Sequence, residues 1–397
     1  LLWSQSRFHL NALTMKILGW QSWVFAAVIF AVGLFFQSML ARGVWAWVEA
    51  PKKRHGPLLG VICTFLILTS QMIHAWADAA YYVPVTGLGQ VLPVYKGVTA
   101  KKLLQRTGLV DVQESREREL ARRMSRSLDE SSGRLLNYPR SPLNCSAEQP
   151  MNLLFIVVDS MRGSMLTDEY APNISAFAAQ YAITYRNHFS GGNSSRMGMF
   201  SLFYGLPPAY WASFSSLQRS AVLLDEMQAR DYQLGLFSSS TLYRPVVLDR
   251  TAFANVPDLR IVTEPASDPS WKRDRKLTGE WFDWLDGRDE QKPFFGFLFY
   301  DAAMSVSPPP DYEKQWTPAD DSEQQQDYSR YRSAVHFVDG LAGQVLDDLA
   351  QRNLLENTVV VITSDHGEEF GESSAKLERH GSGYTRHQLV IPLVLSL

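Results

Sequence analysis

The stretch V-V-V-I-T-S-D-H-G-E-E-F-G-E, residues 359–372, begins as a run of β-branched apolar residues and breaks into Asp365, His366 and Gly367. A short, continuous apolar run of this kind reads as a strand buried on both faces. It delivers a carboxylate and an imidazole to the loop at its end. Three further runs have the same character: N-L-L-F-I-V-V-D at 152–159, Y-Q-L-G-L-F-S at 232–238 and F-F-G-F-L-F-Y-D at 294–301. Helical stretches lie between them, including residues 331–352, where Val338, Leu341, Val345 and Leu349 recur at steps of three or four and share one face. His336 on the same helix reads as a packed or surface residue. Continuous apolar strands alternating with helices predict an α/β domain built on a largely parallel sheet flanked by helices.

The chain has a different character at its start. The first 95 or so residues are rich in Trp, Phe, Leu and Ala and poor in acids. Ile17 to Leu40 carries no charge, and Pro57 to Trp76 carries only His74. At ~1.5 Å per residue either run crosses a ~30 Å hydrocarbon core. The expected organisation is a transmembrane region at 1–95 with spans at about 17–40 and 57–80, a basic juxtamembrane helix and linker at 96–150, and a globular domain at 151–397. Between the two runs lie Arg42, Lys52, Lys53, Arg54 and His55, and short basic loops stay cytoplasmic. Everything after about residue 83 is then expected outside. The start at Leu1 and the strand-like end I-P-L-V-L-S-L read as a piece of a longer chain, with N-terminal spans missing and the C-terminal domain truncated.

Charge identifies no partner: 38 basic against 41 acidic residues leave −3, and no nucleic-acid partner is expected. Cys63 falls inside a span and Cys145 outside, so no disulfide framework is expected. The stretch V-Y-K-G-V-T-A-K-K-L-L-Q-R-T-G-L, residues 94–109, predicts a short helix capped by Thr99 and ended by Gly108. It gathers Lys96, Lys101, Lys102 and Arg106 beside Leu103 and Leu104, an amphipathic basic pattern expected to lie on anionic lipid.

In an open α/β sheet, sites form beyond the carboxyl ends of the strands. Asp159 ends one strand, and Asp365 with His366 ends another. Carboxylate oxygens with an imidazole suit one divalent cation: Zn²⁺, Mn²⁺, Mg²⁺ or Ca²⁺. The stretch H-F-S-G-G-N-S-S-R-M-G-M-F-S-L-F-Y-G, residues 188–205, is a Gly-rich turn entering an apolar helix, with Ser194 or Ser195 at the N-terminus. Backbone N–H groups there favour a phosphate or sulfate.

The order V-V-D-S-M-R, G-G-N-S-S with F-Y-G-L-P, then S-D-H-G-E-E-F-G-E, R-H-G and V-I-P-L-V resembles the sulfatase and alkaline-phosphatase superfamily. D-H-G-E-E-F-G-E…H-G resembles its lipid-directed phosphoethanolamine and lipoteichoic-acid transferase branch. With the spans and basic helix added, the chain is most similar to the inner-membrane sulfatase-like proteins of Gram-negative bacteria. The resemblance implies a sulfatase/alkaline-phosphatase-like fold, with Asp159, Ser194, Asp365 and His366 as metal ligands, Ser194 as nucleophile and His380 contacting the phosphoryl or sulfuryl oxygens. It implies a multi-pass inner-membrane protein with its large domain in the periplasm. That protein would bind lipid A or lipopolysaccharide through Lys96, Lys101, Lys102 and Arg106, and regulate lipopolysaccharide synthesis and outer-membrane integrity through a LapB-type proteolysis adaptor at the transmembrane region. The alternative is an active metal-dependent phosphatase, sulfatase or phosphoglycerol/phosphoethanolamine-type transferase acting on a lipid head group. Two departures from the transferases favour the regulator: Val306 stands at their histidine position in S-V-S-P, and Asn193 where a lysine often precedes the nucleophile.

Overall fold

The computed structural model describes residues 56–86, 97–126, 136–141 and 150–396 apart from 244 and 374–378, together with isolated positions before 150. The expected span at 17–40 lies almost wholly outside the described residues, as do Lys96 and Cys145.

Each apolar run forms a strand. The sheet contains β1 (Asn152–Val158), β2 (Ile183–Thr184), β3 (Gln233–Ser238), β4 (Phe294–Tyr300), β5 (Thr358–Thr363) and β6 (Leu393–Ser396), in the order β2-β6-β5-β1-β4-β3. The pairs β1–β4, β1–β5 and β3–β4 are parallel, while β5–β6 and β2–β6 are antiparallel. The sheet is thus largely parallel, with an antiparallel margin. One helix among the described residues, α1 (Gly56–Ala79), is long and apolar enough to cross a membrane by length and composition. The others used below are α2 (Lys101–Arg106), α3 (Val112–Arg126), α4 (Pro172–Tyr181), α5 (Ser195–Tyr204), α6 (Ser270–Gly287) and α7 (Glu323–Gln351).

Alternate residues of β1 serve opposite cores. Leu154, Ile156 and Val158 pack with Trp281 of α6 and with Val338 and Val345 of α7. Phe155 and Val157 face Phe200 and Phe203 of α5. Burial on both faces explains why the strands read as continuous apolar runs. On the α5 side the contacts are aromatic, with Phe203 edge-on to Phe253 at 5.1 Å and to Phe297 at 5.4 Å.

Register brings the acids together. Val157 pairs with Thr363, and Val158 with Tyr300, so the carboxyl ends of β5, β1 and β4 lie side by side. Asp159 and Asp301 directly follow β1 and β4, and Asp365 comes second after the end of β5.

By compactness the chain divides into Leu1–Ile73 and His74–Leu397. Residues from His74 onward therefore pack with the globular unit, including α2, which was expected to lie on lipid through all its basic residues. That expectation needs correcting at Lys101. Its ammonium pairs with Asp249 and is buried, and it also sits 3.8 Å from the Tyr81 ring centroid. Tyr81 donates to the same Asp249 oxygen at 2.7 Å, and Asp78 pairs with Arg250 in the same buried cluster. Burial pushes the Lys101 ammonium below its ordinary value, and the opposing attraction of Asp249 offsets only part of this. A helix only six residues long cannot present every side to lipid, and Lys101 falls on the side facing Asp249. Lys102 and Arg106 remain exposed.

Candidate metal centre

The centre lies at the carboxyl ends of β1 and β5. Oxygens of Asp159 and Asp365 and a nitrogen of His366 all fall within 4.8 Å of one another, and all three residues are buried. His366 Nδ1 lies 2.9 Å from the Gly367 carbonyl, which can only accept, so the Nδ1–H donates there. Nε2 is thereby turned toward Asp159 Oδ1 at 3.4 Å, Asp365 Oδ2 at 3.5 Å and the Ser195 hydroxyl at 3.1 Å. A metal-bound imidazole is oriented in this way by its second nitrogen.

The donor set fits a cation. Asp365 Oδ1 accepts from the backbone N–H of Ser160 at 3.1 Å and of His366 at 2.9 Å, whereas Oδ2 is buried without a hydrogen-bond partner. Burial pushes the Asp159 carboxyl well above its usual range, and the charges of Asp365, Asp301 and Glu368 push it further. Buried carboxylates are seldom left uncompensated unless a cation shares them. Two carboxylates, one imidazole and a nearby hydroxyl match a small hard or borderline cation.

Ser195, rather than Ser194, supplies the nearby hydroxyl. Ser194 is the residue before α5, extended at φ −156° and ψ 152°, and its carbonyl accepts from the N–H groups of Met197 and Gly198. Its side chain makes no capping bond. Ser195 is the first helical residue and is buried against His366. The residues of G-G-N-S-S alone leave both serines open, and the family resemblance points to Ser194. The structure places Ser195 on the imidazole because α5 approaches the end of β5 so closely that a Cβ on Gly198 would sit 1.7 Å from the Asp365 carbonyl oxygen.

His380 packs over His366 with ring centroids 4.5 Å apart, and its Nδ1 lies 3.3 Å from Glu368 Oε2. Burial pulls the His380 pKa down, but the hydrogen bond and charge of Glu368 outweigh it and the net shift is upward. Glu368, the fully buried glutamate of D-H-G-E, was missed as a site residue although it stands in the most specific motif. Asp301 was missed too. Its Oδ2 is held by Ser270 at 2.6 Å and Arg273 at 2.9 Å, and its Oδ1 is buried without a partner. The signal was legible, since F-F-G-F-L-F-Y-D ends in an acid as the other two strands do. Val306, at φ +49°, lies in the loop after β4, where the Met304 carbonyl accepts from Arg379 beside His380. A second acidic group, Glu369, Glu372 and His387, is already compensated by Arg162, which pairs with Glu372.

Comparison with known proteins bears on the family and the fold. A family model described as Sulfatase matches residues 151–396, and one described as a domain of unknown function (DUF3413) matches residues 1–145. Inner membrane protein YejM of Salmonella typhimurium is 28% identical over 384 residues, covering 94% of this chain. The chain spans 58% of that relative's length. Among solved structures, the lipoteichoic acid synthase LtaP from Listeria monocytogenes superposes with a TM-score of 0.51 at 17% identity, covering 62% of this chain and 65% of that one. The phosphonate monoester hydrolase of Agrobacterium radiobacter gives 0.50 at 16% identity, covering 62% and 68%. At these identities the likeness is one of fold.

Proposed function

The chain belongs to the sulfatase family, and from that premise we propose that it is an inner-membrane protein whose large domain faces the periplasm, binds lipid A or lipopolysaccharide at the membrane surface, and regulates lipopolysaccharide synthesis and outer-membrane integrity. The observation that carries this reading is the exposed side of α2 and its flanks. Lys102 and Arg106 stand there beside exposed Val98, Leu103 and Leu109, and the segment follows a membrane-length helix. Exposed leucines interleaved with basic residues suit a lipid interface, where the apolar side chains enter the acyl boundary and the cations meet phosphates. The name of the YejM relative supports the location. A LapB-type proteolysis adaptor engaged through the transmembrane region is the proposed downstream partner. The test is binding of the purified protein to vesicles containing lipid A. Lys102→Glu with Arg106→Glu should weaken it tenfold or more, and unchanged binding would overturn the reading.

A second reading, a metal-dependent phosphatase, sulfatase or lipid head-group transferase, is favoured by the geometry at His366. Asp159, Asp365 and His366 would hold one divalent ion, of the Mg, Mn, Zn or Ca class. When bound, such an ion supplies Lewis-acid polarisation and lowers the pKa of a coordinated hydroxyl. Ser195, whose hydroxyl donates to His366 Nε2, would present its oxygen to the transferring group, and His380, braced by Glu368, would meet the phosphoryl or sulfuryl oxygens. Val306 offers no proton to a leaving group, which weighs against fast turnover.

A further inference from the structure

We infer that the globular unit contains a second anion site, separate from the metal centre, that takes a phosphate ester with an apolar organic part. A cavity of about 720 Å³ opens between α4, the turn after β1 and the segment leading into β6. That volume is within the ~300–1,000 Å³ range of small-molecule sites. None of Asp159, Ser195, Asp365 or His366 lines it. The two sites share a wall at Gly367, where a Cβ would meet the His387 carbonyl oxygen at 2.1 Å and the Arg162 Cβ at 3.0 Å.

The charge of the lining selects the ligand. Arg162, Arg186, Arg386 and His387 contribute to it, against one carboxylate, Asp168. Arg162 is committed to Glu372. Arg186 and Arg386 are exposed and, among the described residues, their side chains make no ion pair, hydrogen bond or ring contact. Several other arginines of the unit do have such a partner: Arg273 has Asp301, Arg219 the Tyr138 carbonyl, and Arg275 the Trp271 ring. Two uncommitted guanidiniums at one cavity match the planar, bidentate recognition of phosphate oxygens. Leu166, Ala178 and Val390 give the same cavity an apolar wall, which inorganic phosphate would leave unused.

The test uses two soluble titrants on chelator-treated full chain, so that the metal centre cannot bind them through a cation. Glycerol 3-phosphate represents a soluble ester, and dihexanoyl phosphatidylglycerol represents a lipid head group. Wild type should bind at least one of them, with an affinity that falls as salt is raised. R186E/R386E should lose tenfold or more of that affinity with an unchanged melting temperature, because both side chains are exposed. The titrant bound more tightly identifies the source of the ligand. Equal affinity in wild type and R186E/R386E, or no binding of either titrant by wild type, would overturn the site.

Discussion

At Ser194 the backbone is still extended, and only at Ser195 does the first helical residue turn its hydroxyl to His366. Ser195→Ala is therefore expected to disturb metal binding and any phosphoryl or sulfuryl transfer more than Ser194→Ala, as measured by metal content and monoester turnover. Asp365→Ala and His366→Ala should each lower bound divalent metal at least tenfold, since one ligand is a large part of a set of three. Equal metal in wild type and both variants would reduce the D-H-G motif to a strand-end turn. Lysines on α2 differ as sharply. Lys101→Met leaves Asp249 buried without its ammonium and should cost about 3 kcal/mol in denaturant unfolding, while Lys102→Met should stay within about 0.5 kcal/mol.

Elements fix these residues through close approach and through buried polar groups that span long sequence separations. Gly198→Ala would force α5 off the end of β5, so it should lower both metal affinity and melting temperature even though Gly198 bears no ligand. Asp274 on α6 accepts from the backbone N–H groups of Asp301 at 3.0 Å and Ala302 at 2.9 Å, which ties the helix to the end of β4. Burial pushes its carboxyl up to about 7, against an unfolded value of about 3.9. The folded state holds this proton more tightly, so its stabilisation is complete below about pH 4 and is lost as pH rises toward 7. The loss is on the order of 4 kcal/mol at most. Asp274→Asn should remove this slope from a stability-against-pH series, whatever offset it adds. The sheet and two of the acids at its edge were legible in the sequence because burial on both faces writes uninterrupted apolar runs, and Asp159 and Asp365 interrupt them. Asp301 was equally visible but carried no neighbouring motif. Lys101 was not legible, because its partner Asp249 lies 148 residues away and a local pattern carries no trace of such a pairing. Choosing between adjacent serines required the start of α5 to the residue, where sequence signals are least sharp.

For the whole molecule, membrane topology and lipid recognition have to agree. A cysteine introduced at Lys53 should resist a membrane-impermeant thiol reagent in spheroplasts, while one introduced at exposed Tyr210 should react. The reverse pattern would place the globular unit in the cytoplasm, away from the proposed ligand. The regulatory and enzymatic readings then part over which residues the cell cannot lose. Lipopolysaccharide content decides between them, measured in a deletion strain carrying either Lys102→Glu with Arg106→Glu or Ser194→Ala with Ser195→Ala, each at wild-type abundance. We predict disturbed lipopolysaccharide levels in the charge-reversed strain and near-normal levels in the serine variant; a normal charge-reversed strain beside a disturbed serine variant would contradict the account.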